Sequence, residues 1–198
     1  MEQNWSPPDQ AACPGYTFIP NVDDKINEQI MDALRVSDQE NMIGLCGPDK
    51  RVRNFAKTTI RRVERDKLFQ NIVTAIVTKK PNITKIQTQI AEAIGLNFDD
   101  ETDLAESSCC MCFCKNKRVT TAKRALLLCA KMKELQTVLV VLYDLHGRFD
   151  LGEIGIPFGE DHNGCKILLT STSLEVLSEQ MMVHKLIQLS KFSSSYSV

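Results

Sequence analysis

Asp144 closes the most apolar stretch of the chain, following Val138, Leu139, Val140, Val141, Leu142 and Tyr143. A run that is apolar at consecutive positions, without alternation, suits a strand covered on both faces in a parallel α/β sheet. A carboxylate at the carboxyl end of such a strand projects from the sheet edge where ligands bind. Phosphate-handling folds keep the acid that governs magnesium at that place. The same residue also reads as a solvated loop aspartate after a buried strand, and the run alone does not choose between the two.

Positioning Asp144 requires a sheet, and the rest of the chain supplies alternating strands and helices. Asn41 to Gly47 reads as a first strand, the β-branched segment Asn71 to Thr78 as a second, and Cys165 to Ser171 as a fourth. Val22, Ile26, Ile30 and Leu34, with Met31 and Ala33 nearby, recur at helical spacing. Asp23 and Asp24 fall in that helix's first turn, where negative charge suits the dipole. Ile83, Ile86, Ile90, Ala93 and Ile94 mark the buried stripe of another helix, with Gly95 placed for its C-cap. A further amphipathic helix runs from Arg124 to Lys133.

At 198 residues the chain is long enough for one domain with a real core, burying roughly 70% of its unfolded surface. A hydrophobic content of 43%, charged content of 25% and net charge of −1 give no electrostatic bias toward nucleic acid or membrane. No apolar run reaches the ~18 residues of a spanning helix, and the polar, acidic N-terminus does not read as a signal peptide. A cytoplasmic location is the expectation. Of the eight cysteines, Cys109, Cys110, Cys112 and Cys114 crowd together. Cys109 and Cys112 have a zinc-like spacing, but no second ligand pair follows, and His146 is the nearest histidine. Size and α/β patterning also argue against a disulfide scaffold. The cluster reads as an irregular or reactive loop, and no metal site is assigned. Residues 1–21, with Pro7, Pro8, Pro14, Gly15 and Pro20, read as a flexible leader.

The string VLVVLYDLHGRFDLGEIGIPFGEDHNGCKILLTSTSLEVL resembles the Walker B region and following strand of the NB-ARC domain. That domain is the nucleotide switch of plant disease-resistance proteins of the coiled-coil, leucine-rich-repeat kind. Ile154 to Ser171 is the most specific part, the run KIQTQIAEAIGL also fits, and the likeness extends with interruptions from about Phe18 to Leu177. The resemblance implies an α/β, three-layer P-loop NTPase-like domain over residues 22–180, ending before the helical ARC subdomains. Its mostly parallel sheet would have about four strands, the fourth lying between the first and third. It also implies an ADP or ATP switch with Mg in a defence-response protein. Adenine nucleotide and other immune receptors would be its partners, with no nucleic acid and no membrane span.

Against that pattern several positions of this chain differ. A phosphate loop, G-x-x-x-x-G-K-[ST], uses glycines to turn backbone N–H groups onto phosphate oxygens, a Lys for the terminal phosphates and a Ser or Thr for magnesium. After Gly47 this chain reads Pro48, Asp49, Lys50, Arg51, Val52, Arg53, Asn54, Phe55, Ala56, Lys57, Thr58, Thr59. In one register Lys57, Thr58 and Thr59 are the family's Lys-Thr-Thr, behind a longer loop. In the other, preferred because a single gap explains the spacing, Lys57 lies inside the first helix and Asp49 to Asn54 replace the glycine-rich loop. The implied site residues are Gly47, Lys57, Thr58 and Thr59 for nucleotide, and Asp144 for hydrolysis. The family's paired aspartates are here Tyr143 and Asp144, its following Trp is His146, and its phosphate-sensing Arg is Thr172. These changes weigh against turnover.

The usual polar residues for adenine are not evident around Phe18 to Asn21. Ser107 to Thr121, holding the cysteine cluster, reads as an insert of about fifteen residues. Met181 to Leu189 reads as a short helix and Lys191 to Val198 as a Ser-rich tail, with the family's fifth strand missing. Asn41 to Gly47 is then expected to present an unpaired, aggregation-prone edge. The competing function is a nucleotide-free interaction or decoy fragment that pairs with intact relatives.

Overall fold

The computed structural model describes residues 22–35, 40–98 and 120–189. Helix α1 (Val22–Arg35) precedes strand β1 (Met42–Cys46), and helix α2 (Asp49–Asp66) follows it almost at once. Strand β2 (Asn71–Ile76) leads to α3 (Ile83–Ile94), and α4 (Thr121–Glu134) leads to β3 (Val138–Leu145). The short helix α5 (Leu151–Ile154) and a 3-10 turn at Gly159–Asp161 connect to β4 (Cys165–Ser171). A π-helical turn at Val176–Gln180 then brings the chain to β5 (Lys185–Gln188).

The sheet order is β2-β3-β4-β1-β5, with every neighbouring pair parallel. β4 lies between β1 and β3, as the resemblance implied. Helices cover both faces, which makes three layers. On β3, Val138, Val140 and Leu142 join the core that α3 and α4 cover, through Ile86, Ile90, Leu128 and Met132. Leu139 and Val141 join the opposite core, against Ile30 and Leu34 of α1 and Val52 and Phe55 of α2. A strand buried on both faces must be apolar along its covered length, and this strand is from Val138 to Leu142.

Local signals set the helix ends. The Asn82 side chain accepts a hydrogen bond from Lys85 N and caps α3, whose far end stops at Gly95 with φ +68°. Thr120 caps α4 in the same way, accepting from Lys123 N, so this helix begins earlier than the expected Arg124.

One expectation is overturned. Met181 to Leu189 is not a helix, and the fifth strand is not missing. β5 pairs in parallel with β1, from Ile43 opposite Lys185 to Cys46 opposite Gln188, so β1 is interior and its edge is covered. His184 N donates to Met42 O at 3.0 Å, and Leu189 N donates to Cys46 O at 2.7 Å. The segment is short, and its apolar residues fit helical and strand spacing alike. The free hydrogen-bonding groups of β1 decide between them. The edge is now a strand of 4 residues in which Lys185 and Gln188 are exposed, a blunted edge in place of an apolar one. The leader, the cysteine cluster, the adenine-contacting stretch around Phe18 and the Ser-rich tail lie outside the described residues.

Candidate functional site

Asp144 stands at an irregularity in the sheet. Leu142 pairs with Leu169 and Leu145 with Ser171, so β3 carries one residue more than β4 over this interval. The extra residue is taken up by a bulge in which Asp144 adopts φ +61°, a left-handed backbone that a non-glycine residue enters at a cost. The end of β4 holds the bulge in place. Asp144 N donates to Thr170 Oγ1 at 3.0 Å, and Ser171 Oγ donates to Leu145 O at 2.7 Å. Re-aiming a side chain is what a bulge beside a ligand site does. Here it directs the Asp144 carboxylate at α2.

What meets the carboxylate is Arg53. Its Nε donates to Asp144 Oδ1 at 3.1 Å and its Nη2 to Oδ2, a two-pronged pair. The same Nε donates to Asp49 Oδ1 at 3.0 Å, one helical turn back. The Asp144 side chain is only 14% exposed, whereas that of Arg53 is 45% exposed. Asp144 first, and Asp49 after it, hold the Arg53 pKa above its ordinary value, partly against the cost of burial. These residues line a cleft of about 240 Å³ at the carboxyl edge of the sheet, with His146, Thr170, Ser171 and Thr172 around it. Tyr143 is half-buried against the α1–α2 core; burial, and then the neighbouring Asp144 charge, raise its phenol pKa, with Arg53 pulling the other way. A neutral phenol offers no carboxylate to a magnesium-bound water.

The β1–α2 junction holds no loop. Gly47 N donates to Ser171 O at 3.2 Å, and Val52 N already closes a helical bond onto Pro48 O at 2.9 Å. Proline fits this start because it has no N–H to satisfy, and Asp49 faces the positive end of the helix dipole. The segment Asp49 to Asn54 is therefore helix and not a phosphate-wrapping loop. Gly47 has a packing reason of its own, since a Cβ there would sit 2.7 Å from Leu189 Cβ.

Of the residues implied for nucleotide binding, Gly47 lies beside the Asp144 cleft and the other three do not. Lys57 and Thr58 are exposed mid-helix on α2, roughly 12 Å along its axis from the start at a rise of about 1.5 Å per residue. Thr59 turns inward and is 2% exposed, with no hydrogen-bond partner for its hydroxyl. Sequence reasoning missed Arg53. The i,i+4 spacing from Asp49 was visible, but its bond to Asp144 spans 91 residues.

A magnesium-bound polyphosphate does not fit this edge as its side chains stand. Among the described residues no glycine loop wraps this edge, Asp144 is already paired, and Asp49 sets a negative charge at the helix start. On the opposite face, the segment that carried the resemblance most strongly packs under α4. Gly155 has φ +83°, and a Cβ on it would lie 2.3 Å from Ala125 O. Ile154 and Ile156 are fully buried there.

Fold and cleft together define an α/β domain of the P-loop NTPase type. The Aeropyrum pernix ORC1 protein, solved in complex with DNA, has the same fold at a TM-score of 0.52 and 13% identity, covering 90% of this chain and 48% of that one. The NB-ARC domain model matches residues 23–197, and the chain belongs to the NB-ARC family. Its relatives in Arabidopsis thaliana include "Probable disease resistance protein At5g47260", 29% identical over 69% of this chain and 13% of that protein. "Disease resistance protein At4g27190" is 31% identical over 75% of this chain and 14% of its own length. The chain thus spans less than a fifth of the relatives it matches. Among the described residues no helix is long and apolar enough to cross a membrane.

Proposed function

We propose that this chain is the adenine-nucleotide module of a plant disease-resistance protein, with ADP or ATP as the ligand class of the Asp144 cleft and with hydrolysis absent. The observation that carries this reading is the position of the cleft. It opens at the carboxyl ends of parallel strands, between β1 and β3 where the strand order reverses, which is where open α/β sheets take their ligands. The names of the relatives support a role in defence, and the cytoplasm is the compartment in which such a module would act.

The same geometry predicts weak binding. A phosphate that takes the two-pronged face of Arg53 must displace Asp144, and Asp49 repels it from the helix start. ADP should bind at least ~3 kcal/mol more weakly than to a relative with a glycine loop, the scale of several charge-assisted hydrogen bonds. Calorimetric titration of the purified chain with ADP checks this, and a micromolar dissociation constant would overturn it. ATP turnover should equal that of buffer, and Tyr143→Asp alone should not restore it. Magnesium-dependent turnover that vanishes in Asp144→Ala would contradict this assignment.

A second reading is a nucleotide-free interaction module that pairs with intact relatives among immune receptors. The observation favouring it is that Arg53 already occupies the cleft. Co-elution with a full-length relative in the absence of nucleotide, unaffected by added ADP, would select this reading.

A further inference from the structure

We propose that the Arg53 guanidinium is a built-in counter-cation for Asp144, taking over the charge role that a divalent metal has at this edge in phosphate-handling folds, so that the domain is complete without magnesium. The inference rests on the reading of this cleft as the phosphate edge, but its test does not depend on nucleotide. A carboxylate that is only 14% exposed, on a residue held in a left-handed bulge, needs a compensating charge close by. Phosphate-handling sheets bring that charge from solution as a metal. Here it arrives with the fold. Arg53 stays charged at any working pH and its planar fork matches a carboxylate. α2 starts directly after β1 and places this side chain one turn into the helix, across from the end of β3.

The other groups facing the guanidinium fit this role. Asp49 accepts from the same Nε and anchors the fork from the helix side. Tyr143 borders the pair as a neutral phenol, and His146 lines the cleft. Both carboxylates lie within hydrogen-bond reach of one nitrogen, so removing Arg53 leaves two negative charges close together without their shared counter-charge. A divalent cation would repel the guanidinium and cannot enter while it is there. Without it, the same two carboxylates become the place a cation binds.

Thermal melts with and without millimolar Mn2+ or Mg2+, on the wild-type chain, Arg53→Gln and Arg53→Gln/Asp144→Asn, test the proposal. The wild-type melting temperature should not respond to either metal. Arg53→Gln should melt about 2–4 °C lower for a chain of this size and recover at least half of that loss with Mn2+. The double variant should show no metal response. Direct Mn2+ binding, followed by electron paramagnetic resonance, should be undetectable in wild type and present in Arg53→Gln. Mn2+ binding to wild type with a matching rise in its melting temperature, or an Arg53→Gln protein indifferent to metal, would overturn the inference. Wild-type Mn2+ binding also decides the matter if Arg53→Gln fails to fold. ADP titration of the same proteins keeps the two readings apart, because absence of ADP binding in all of them overturns the nucleotide reading and leaves the metal response as predicted.

Discussion

Gly155 and the start of α2 are two places where a glycine could be demanded, the first by packing and the second by a bound phosphate, and the chain answers them differently. At Gly155 the backbone is left-handed and Ala125 of α4 fills the space a side chain would need. Glycine is present. Between Gly47 and Lys57, where a phosphate loop would need glycine, the chain carries Arg53 and Asn54 on the exposed side of an unstrained helix. No internal contact there calls for glycine, and none is present. Even Gly47 is accounted for by Leu189 at the end of β5. The glycines that packing requires are in place, whereas those that only a phosphate would require are not.

The largest effect should come from Gly155→Ala. The left-handed backbone costs about 1–2 kcal/mol for a residue with a Cβ, and overlap with Ala125 brings the loss above ~4 kcal/mol. A urea titration should then show no cooperative transition; a melt close to wild type would break the contrast drawn above. Next in size is Ile187→Asp on β5, where the wild-type side chain is 4% exposed. An unpaired buried carboxylate should cost about 3–4 kcal/mol and detach β5 from β1. Size-exclusion chromatography with light scattering should find a wild-type monomer and aggregates of this variant.

Smaller changes sharpen the contrast at the α2 side. Asn54→Gly returns a glycine to the stretch that would wrap phosphate, yet in an exposed helix interior, where Asn is already a poor helix former, it should cost about 0.5 kcal/mol and gain no ADP affinity. A gain measured by calorimetry would mean that the helix opens into a loop when nucleotide arrives. Lys57→Ala should be the mildest, within about 0.5 kcal/mol in stability as an exposed helical substitution, with ADP binding unchanged. Loss of binding in that variant would favour the register in which Lys57 serves the phosphates.

Much of this architecture can be read locally. The unbroken apolar run of β3 requires cover on both faces, and two cores supply it. The Asn82 and Gly95 caps delimit α3, and the spacing of Val22, Ile26, Ile30 and Leu34 fixes the buried side of α1. Such features depend on residues a few positions apart, so their physics is contained in the sequence window that holds them. The carboxyl-edge placement of Asp144 was legible for the same reason, as the end of its run.

Long-range competition settled the rest. Lys185 to Gln188 became a strand because β1 had an open edge to fill, and nothing within that short segment distinguishes strand from helix. Asp144 bends into a bulge because Thr170, on a different strand, accepts from its N–H while Ser171 donates to the carbonyl of the next residue, Leu145. Arg53 has an acidic neighbour at helical spacing in Asp49, which the sequence displays, but its strongest partner is far off in the chain. Strand pairing and charge pairing between distant segments depend on which groups remain unsatisfied once the sheet has assembled, and only the folded chain brings those groups within bonding distance.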